Sequence, residues 1–466
     1  MKKIIFLSSI LLIFSNCRKN NNSEKIKTNV ENAVIYEVNI RQYSEKGTFE
    51  EFTKDIPMLK ELGVNIIWAM PIFPISKTKR KATGGDFAYL IEDKEKRDKM
   101  LGSYYAVSDY GKINPEFGTI DDFRNLVDTA HENGMYVILD WVPNHTGWDH
   151  KWITTHPEYY TQNENGEIID PINPDSGESW GWADVADLNY DNQDMRSEMI
   201  DEMLYWVNDE NIDGFRCDVA SAVPLDFWQE AISKIRNEKD VFMLAEAEEP
   251  DLVKGKRLFD MVYAWERHHI FNKMAKEENA IEIWDKIMEK ESKRFESDDM
   301  LMSFVTNHDE NSWNGTIRER MGDASELLTA LSYISPGMPL IYSGQEYDLD
   351  HRLLFFEKDE IPKTKKIMWP LLQKLGKLKK ENPALHIGID ASNYKKINVA
   401  NPEILAFERS KGTDSVIFLG NFSKNSQEMN NIFSGSFNYF NNVIENSEKL
   451  VFEPWGFKIL TAAEKK

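Results

Sequence analysis

Cysteine is scarce in this chain, with only Cys17 and Cys217 among 466 residues. A protein of this size with two thiols has no disulfide framework to rely on, so its stability must come from a large core. Apolar residues make up 41% of the chain and aromatic residues 12%, which is enough to form that core. Wholesale disorder is therefore excluded.

Basic charge is also in short supply. The chain has 56 Lys and Arg against 78 Asp and Glu, a net charge of −22. Such an acidic protein is a poor partner for nucleic acid or for an anionic membrane surface. No GxGxxG motif follows the first strand-like segment, and no other phosphate-binding glycine loop is present. The sequence thus gives no support to a dinucleotide-binding fold.

The N-terminus has a short apolar run, residues 4–14, preceded by two lysines. It is too short to span a bilayer but typical of a secretory signal. Small residues lead from it to Cys17, and this arrangement resembles a bacterial lipobox. We predict a lipoprotein signal peptide over residues 1–17, lipidation of Cys17 and a polar tether over residues 18–32. The alternative is plain secretion with Cys17 unmodified.

This interpretation predicts a location in the cell envelope. The protein would be lipid-anchored on the periplasmic or outer-surface side of a bacterial membrane, and the anchor would be its only membrane contact.

Strand-like and helix-like segments alternate after the tether. Eight segments are strand candidates: residues 33–40, 64–73, 135–142, 214–220, 241–247, 261–265, 301–307 and 339–344. Alternation with helices indicates a parallel sheet, and eight strands favour an α/β fold closed into a (β/α)8 TIM barrel. An open doubly wound sheet is the alternative, which the missing glycine motif disfavours.

Domain organisation follows from three departures from this pattern. Residues 74–118 and 146–190 are too long for ordinary barrel loops, and long rim loops usually shape a site. From about residue 383 the pattern changes to short strands with tight turns. We predict a catalytic barrel over 33–382 with a small excursion domain at about 146–190, after the third strand. A C-terminal all-β sandwich domain over 383–466 would follow.

The stretch "GFRCDVA" places Arg216 and Asp218 in a strand that is otherwise apolar. Side chains alternate along a strand, so these two share one face and Cys217 faces the other way. Cys217 is therefore interpreted as a core residue. Charged residues are rarely buried unless they are paired or functional, which leaves a structural ion pair or a catalytic role for Arg216 and Asp218.

Other predicted strands also end in acids or imidazoles. Glu246 closes the fifth strand, His308 and Asp309 follow the seventh, and Asp140, Asn144 and His145 end or follow the third. Barrel enzymes keep their chemistry at this end of the strands. Glycoside hydrolysis and divalent-metal hydrolysis both suit such a set. The absence of HxH and HExxH weakens the metal alternative, and the Trp- and Tyr-rich segment 146–190 favours sugars.

These blocks together resemble the α-amylase family of glycoside hydrolases, glycoside hydrolase family 13. "DWVPNH" (140–145), "GFRCD" (214–218), "LAEAEE" (244–249) and "VTNHDEN" (305–311) are similar to the family's third-, fourth-, fifth- and seventh-strand motifs. "VADLN" (185–189) and "YYAVSDYGKINPEFGT" (104–119) resemble two further family segments. All of them occur in the family's order, within residues 33–360.

The resemblance implies residue roles in a retaining mechanism. Asp218 would be the nucleophile, Glu246 the general acid and then base, and Asp309 the carboxylate that stabilises the transition state. Substrate contacts would come from Tyr105, which stacks beneath the sugar, from His145 and His308, which bind hydroxyls, and from Arg216, which orients Asp218 and keeps it ionised. Retention requires carboxyl groups about 5–5.5 Å apart, against roughly 6.5–9.5 Å for inversion.

The resemblance also bears on metal binding. Asn144 and Asp187 match calcium-ligand positions of the family, and oxygen ligands suit that ion. Ser221 and Ala222 stand where many α-amylases have a Lys-His pair, which contributes leaving-group and calcium contacts. Structural calcium is therefore the one cofactor hypothesis, with bracing of the loop by Asp187 as its alternative.

The sequence as a whole predicts a retaining α-glucan hydrolase. Its substrates would be starch or maltooligosaccharides, cleaved at α-1,4 bonds through a covalent glycosyl-enzyme intermediate, and we expect a monomer. A transglycosylase or a trehalose-forming isomerase on the same scaffold is the nearest alternative. A non-catalytic glycan-binding lipoprotein is an alternative of a different class.

Overall fold

A computed structural model describes residues 30–173, 176–254, 258–276 and 279–461. The predicted signal peptide, residues 1–17, and Cys17, the predicted site of lipidation, lie outside the described residues. Within the described part of the chain, none of the helices combines the length and apolar character needed to cross a membrane.

Eight parallel strands close into a barrel. In chain order, these barrel strands are Ile35–Val38, Ile66–Ala69, Tyr136–Trp141, Gly214–Cys217, Phe242–Ala245, Met261–Tyr263, Met300–Ser303 and Met338–Tyr342. The first strand pairs with both the second and the eighth, which completes the ring. This confirms the predicted TIM barrel, and the open doubly wound alternative is excluded. The eight strand candidates in the sequence are the eight barrel strands.

Helices surround the barrel. The longer ones are Ile120–Glu132, Gln193–Asn208, Leu225–Glu238, Trp265–Met274, Ala280–Arg294, Ser325–Ile334 and Met368–Glu381. The shorter ones are Ile40–Tyr43, Phe49–Thr53, Ile56–Leu59, Lys94–Lys99, Lys151–Thr155 and Ile317–Met321. Thr119 is the N-cap of the helix Ile120–Glu132 and forms a capping box with Asp122.

The sequence of residues 48–63 predicts one helix ended by Gly63, and this prediction is wrong. The segment instead forms two short α-helices, Phe49–Thr53 and Ile56–Leu59, followed by the 3₁₀ turn Lys60–Leu62. Pro57 lies in the first turn of the second helix. Proline fits there, but it would break a continuous helix because it lacks an N–H and its ring clashes with the preceding turn.

Successive side chains of each barrel strand point alternately into the barrel and toward the helices, so the core has an inner and an outer layer. On the fourth strand, Phe215 and Cys217 face outward into the layer beneath the helices, while Arg216 points into the barrel. Cys217 is a buried free thiol whose pKa is raised well above its usual range by burial, as expected of a core residue. Gly214 opens this strand at φ 148°, where an added Cβ would lie 1.9 Å from the Phe242 carbonyl oxygen. Only glycine lets the fourth and fifth strands approach this closely.

The excursion after the third strand contains a small antiparallel pair of strands, His145–Gly147 with Val185–Asp187.

The C-terminal part of the chain is all-β, as predicted. Its six-stranded sheet consists of Asn393–Lys396, Ile404–Lys411, Asp414–Asn421, Phe457–Thr461, Phe437–Asn438 and Val443–Ile444. A second sheet pairs Gln427–Asn430 with Lys449–Phe452. Apolar side chains from both sheets, including Leu419 and Leu450, pack together between them.

Candidate active site

The ends of the barrel strands surround a cavity of about 570 Å³. Most of the residues singled out in the sequence line it: Tyr105, His145, Asp218, Glu246, His308 and Asp309. These residues follow the second, third, fourth, fifth and seventh strands, whose carboxyl ends meet at one mouth of the barrel. The structure thus brings together side chains that are up to about 200 positions apart in the sequence.

Arg216 lies fully buried at the floor of this cavity. Its Nη1 donates to Asp140 Oδ1 and to Asp218 Oδ1, both at 2.8 Å. Its Nη2 lies 2.9 Å from Glu246 Oε2 in a third ion pair. Asp140 and Arg216 are register partners on neighbouring strands, so their side chains share the inner face. One guanidinium therefore holds three carboxylates, a larger set than the Arg216–Asp218 pair considered from the sequence.

Burial and charge together set the acidity of the two carboxyl groups. Burial raises the pKa of Asp218 to about 6, although Arg216 opposes this shift. Burial and the charges of Asp218 and Asp309 raise the pKa of Glu246 to about 7, again against Arg216. The role expected for Arg216, to keep Asp218 ionised, did not take burial into account: desolvation of the Asp218 carboxylate outweighs its attraction to the guanidinium. At neutral pH Asp218 is still largely ionised, and Glu246 holds its proton more strongly.

Val219, directly after Asp218, adopts a left-handed backbone conformation with φ 44°. A β-branched residue rarely does so, and the strain amounts to about 1–3 kcal/mol. In this conformation its backbone N–H donates to Glu246 Oε2 at 2.9 Å. The turn therefore fixes the carboxyl group of Glu246 beside that of Asp218.

Tyr105 connects two sides of the cavity. Its hydroxyl lies 3.0 Å from Asp140 Oδ2, to which it donates, and 2.8 Å from His308 Nε2. Its ring stacks on the His308 ring, with centroids 5.5 Å apart. His145, by contrast, is kept neutral because burial lowers its pKa to about 4. The two histidines thus differ in charge near neutral pH, since the pKa of His308 is raised to about 9 by Asp309 and Glu37 despite its burial.

Glu37 belongs to the site but was not predicted from the sequence. This residue is completely buried in the first strand, and its Oε1 lies 2.5 Å from His308 Nδ1. The signal was present, because an acid within the apolar strand Ile35–Val38 is the same anomaly that drew attention to Arg216. Tyr263 was missed as well; its hydroxyl accepts from Arg216 Nε at 3.1 Å.

Aromatic side chains form the walls of the cavity. Trp182 comes from the 146–190 excursion, in agreement with the expected aromatic rim. Trp313, Phe355 and Phe356 come from loops after the seventh and eighth strands and were not anticipated. Trp313 and Phe355 have ring centroids 5.0 Å apart. Rings of this kind present flat apolar faces to a ligand.

The two predicted calcium-ligand residues are neighbours beside the cavity. Asn144 precedes the strand His145–Gly147, and Asp187 ends the strand that pairs with it. Burial raises the pKa of the Asp187 carboxyl to about 6, and the charge of Asp170 adds to the shift. A buried carboxyl with a like charge nearby is an environment that a cation would relieve, so the pair fits the hypothesis. The described residues contain no cluster of three or more His, Cys, Asp and Glu side chains able to hold a metal ion.

An α/β barrel with buried carboxylates around one arginine, beneath an aromatic-walled cavity, defines a barrel enzyme suited to acid–base and nucleophilic chemistry. Comparison with known proteins gives the family. The model of the alpha-amylase catalytic domain matches residues 13–373, and the chain therefore belongs to the alpha-amylase family of glycoside hydrolases.

Three relatives illustrate this membership. The structure of an alpha-amylase from Lactobacillus plantarum superimposes with a TM-score of 0.78 at 28% identity, over 93% of this chain and 99% of that one. The alpha-amylase MalA of Haloarcula japonica is 24% identical over 408 residues, 84% of this chain and 55% of the relative. A cyclomaltodextrin glucanotransferase from Bacillus sp. (strain 38-2) is 25% identical over 354 residues, 69% of this chain and 48% of the relative. The chain thus spans about half the length of these two curated relatives.

Proposed function

We propose that the protein hydrolyses α-1,4 bonds of starch or maltooligosaccharides with retention of configuration. The observation that carries the proposal is the contact of Arg216 with both Asp218 and Glu246 at the floor of an open, aromatic-walled cavity. A retaining glycosidase needs one ionised and one protonated carboxyl group close together, and a pKa of about 6 beside one of about 7 meets that need.

In the first step, a carboxylate oxygen of Asp218 attacks the anomeric carbon of the bound sugar. The bond from that carbon to the glycosidic oxygen breaks, and Glu246 gives its proton to the departing oxygen. Asp309 lines the cavity, its side chain is 37% exposed, and it stabilises the positive charge that develops on the sugar ring. The product of this step is a covalent ester between Asp218 and the sugar.

In the second step, Glu246 acts as a base. It takes a proton from a water molecule, whose oxygen attacks the anomeric carbon and releases Asp218 as a carboxylate. Throughout, Tyr105 and His308 hold the sugar from below and from the side. Charged His308 shares the proton on Nε2, which lies 2.8 Å from the Tyr105 hydroxyl, with a hydroxyl group of the sugar. His145, which is neutral, binds another hydroxyl.

The test is the product pattern from maltoheptaose followed over time by chromatography. Hydrolysis yields short maltooligosaccharides and one new reducing end for each bond cleaved. Longer oligomers, cyclic products or trehalose would contradict hydrolysis as the main reaction.

A transglycosylase or trehalose-forming isomerase on the same scaffold is the second candidate, and the similarity to a cyclomaltodextrin glucanotransferase favours its transferase form. It would use the same ester intermediate but transfer the sugar to an acceptor hydroxyl instead of water. The same maltoheptaose experiment separates the two, since transfer creates no new reducing ends. A binding lipoprotein without activity would leave maltoheptaose unchanged.

The proposal includes one structural calcium ion held by Asn144 and Asp187, which would brace the excursion against the third strand. Its test is thermal unfolding with and without a chelator, compared with the Asp187→Asn variant. Calcium at this site predicts that the chelator lowers the melting temperature of the parent protein and leaves that of the variant unchanged.

We also propose that the protein acts in the cell envelope as a monomer anchored through lipid on Cys17. Labelling of cells with radioactive palmitate should mark the parent protein and not a Cys17→Ala variant. Labelling of neither would argue for plain secretion, and labelling of both would place the lipid on a residue other than Cys17.

A further inference from the structure

The loop after the second barrel strand crosses the mouth of the barrel. We call residues 76–102 the flap; it leads into Ser103 and Tyr105, which line the cavity, and Lys81, Gly84 and Gly85 of the flap line it as well. An added Cβ on Gly84 or Gly85 would meet no protein atom within 4 Å, so the tip of the flap faces open space.

The flap is bound at both sides of the mouth. On one side Lys81 Nζ donates to the Gly181 carbonyl oxygen at 2.9 Å and forms an ion pair with Asp184 at 3.2 Å. On the other side Thr83 Oγ1 donates to Glu357 Oε1 at 2.8 Å. Lys81 and Asp184 are largely shielded from solvent, with 18% and 8% of their side chains exposed. The first contact therefore persists at physiological salt better than a surface pair would.

The flap is also a packed element. Ala82, Ala88 and Met100 form a small apolar cluster of their own. At its base, the backbone N–H of Leu101 donates to the Phe356 carbonyl oxygen at 2.6 Å. Buried apolar contacts and satisfied backbone groups favour one fixed position for the segment.

The order of the strands shows which half of the mouth the flap covers. Gly181 and Asp184 belong to the excursion after the third strand, and Glu357 belongs to the loop after the eighth. Between the third and eighth strands around the ring lie the second and the first. The flap thus spans the half of the mouth above these four strands. Glu246 follows the fifth strand, in the other half.

The position of Glu246 gives the direction of the substrate. In the proposed mechanism the general acid faces the departing oxygen, so the reducing portion of the sugar chain extends over the half of the mouth that the flap leaves open. The non-reducing portion then points beneath the flap, toward Tyr105. It also approaches the contacts of Lys81 with Gly181 and Asp184 and of Thr83 with Glu357, which we call the two bridges.

We propose that the flap turns the substrate cleft into a chain-end pocket. It would bind the non-reducing end of a short α-glucan and stop a polymer from passing through, so that the protein cleaves from chain ends rather than at interior bonds. This inference rests on the proposed hydrolase function and deepens it, because it selects linear maltooligosaccharides with a free non-reducing end as the substrate class.

The test uses two forms of maltoheptaose, both carrying a fluorescent 2-aminopyridine label at the reducing end. One has a free non-reducing glucose, and the other carries a 4,6-ethylidene group there. We expect the free form to give labelled products shortened by one constant number of glucose units at early times. The blocked form should be cleaved more slowly by about tenfold or more, because the added group clashes with a closed pocket.

Two flap variants test whether the two bridges cause the slower cleavage of the blocked substrate. The double variant Lys81→Met, Thr83→Val removes both contacts, whereas Lys94→Met removes an exposed flap lysine that takes part in neither bridge. We expect the double variant to cleave the blocked substrate several times faster relative to the free one, and Lys94→Met to keep the ratio of the parent protein.

The outcomes are distinguishable. Equal rates on both substrates with the parent protein would overturn the chain-end pocket and leave the hydrolase function intact. A selective parent protein whose ratio does not change in the double variant would show that the flap is not the cause. If the parent protein cleaves neither substrate, the proposed hydrolase function itself fails, and the inference fails with it.

Discussion

His308 donates a hydrogen bond from Nδ1 to Glu37 Oε1, at 2.5 Å, and the two side chains have almost no contact with solvent. The other ring nitrogen of His308, Nε2, lies 2.8 Å from the Tyr105 hydroxyl oxygen and 3.4 Å from Asp309 Oδ2. A carboxylate from the first strand therefore supports the charge of a histidine that follows the seventh. Glu37 does not line the cavity, so it acts through His308 as a positioning residue.

Replacing Glu37 with Gln should make substrate binding sensitive to pH. Burial disfavours the charged form of His308, whereas Asp309 and Glu37 raise its pKa to about 9. Without the Glu37 charge the pKa of His308 falls below about 9, so neutral His308 forms at lower pH in the variant than in the parent. Binding of maltotriose, measured by calorimetry in an inactive Asp218→Asn background at a series of pH values, should therefore weaken at lower pH in the variant, by about tenfold through loss of a charged hydrogen bond.

Glu346→Gln is the matched control for this experiment. Glu346 is also fully buried and accepts from the Tyr36 hydroxyl at 2.6 Å, but it does not line the cavity. It should leave the pH dependence of binding unchanged. Equal pH dependence in the Glu37 variant and in its parent would contradict the role assigned to Glu37.

The rate of hydrolysis should follow a narrow bell-shaped curve against pH. Asp218, with a pKa of about 6, must be ionised, so activity falls as pH drops below that value. Glu246, with a pKa of about 7, must be protonated, so activity falls as pH rises above that value. Initial rates at constant ionic strength from about pH 4 to pH 9 would measure both limbs. An alkaline plateau would rule out Glu246 as the proton donor.

Asp218→Asn should abolish turnover without abolishing binding. An amide is isosteric with the carboxyl group but cannot form the ester, so we expect kcat to fall by about 10⁴-fold or more. Binding of maltotriose should remain within the same order of magnitude. Asp201→Asn, on the exposed face of the helix Gln193–Asn208, removes one carboxylate elsewhere and should keep full activity. A substantial residual rate in the Asp218 variant would point to a different nucleophile.

Much of the fold and part of the site could be predicted from the sequence because both follow local rules. Apolar runs separated by helical segments identify barrel strands, and the carboxyl ends of parallel strands meet at one edge. These rules located Asp218, Glu246 and Asp309 at one mouth. They also separated Arg216 from Cys217 by the two-residue period of a strand.

The remaining features depend on contacts between residues far apart in the sequence and on how deeply a side chain is buried. Neither can be read from the sequence alone. Glu37 meets His308 across 271 positions, and Thr83 meets Glu357 across 274. In neither contact does the sequence around one residue identify the residue that it meets. The raised pKa of Asp218 has a similar origin, since the cost of removing a carboxylate from water depends on how deeply the strand end is buried.

Arg216→Met should destabilise the protein, and more at neutral than at acidic pH. The side chain is fully buried and balances Asp140, Asp218 and Glu246, and removing one member of such a network typically costs about 3–5 kcal/mol. The three carboxyl groups have folded-state pKa values of about 6, 6 and 7, above the ordinary values of acids in the unfolded chain.

Groups whose pKa is raised on folding favour the folded state at low pH, and this contribution is lost as pH rises through the folded-state values. Loss of the guanidinium raises these values further, so the difference in melting temperature between Arg216→Met and the parent should be larger at about pH 7 than at about pH 5. Calorimetric unfolding at both pH values measures it. Arg352→Met, which removes an exposed arginine paired with Glu319, should change the melting temperature little at either pH, because solvent screens such a pair. A loss of stability that is equal at the two pH values would show that Arg216 acts by packing rather than by charge.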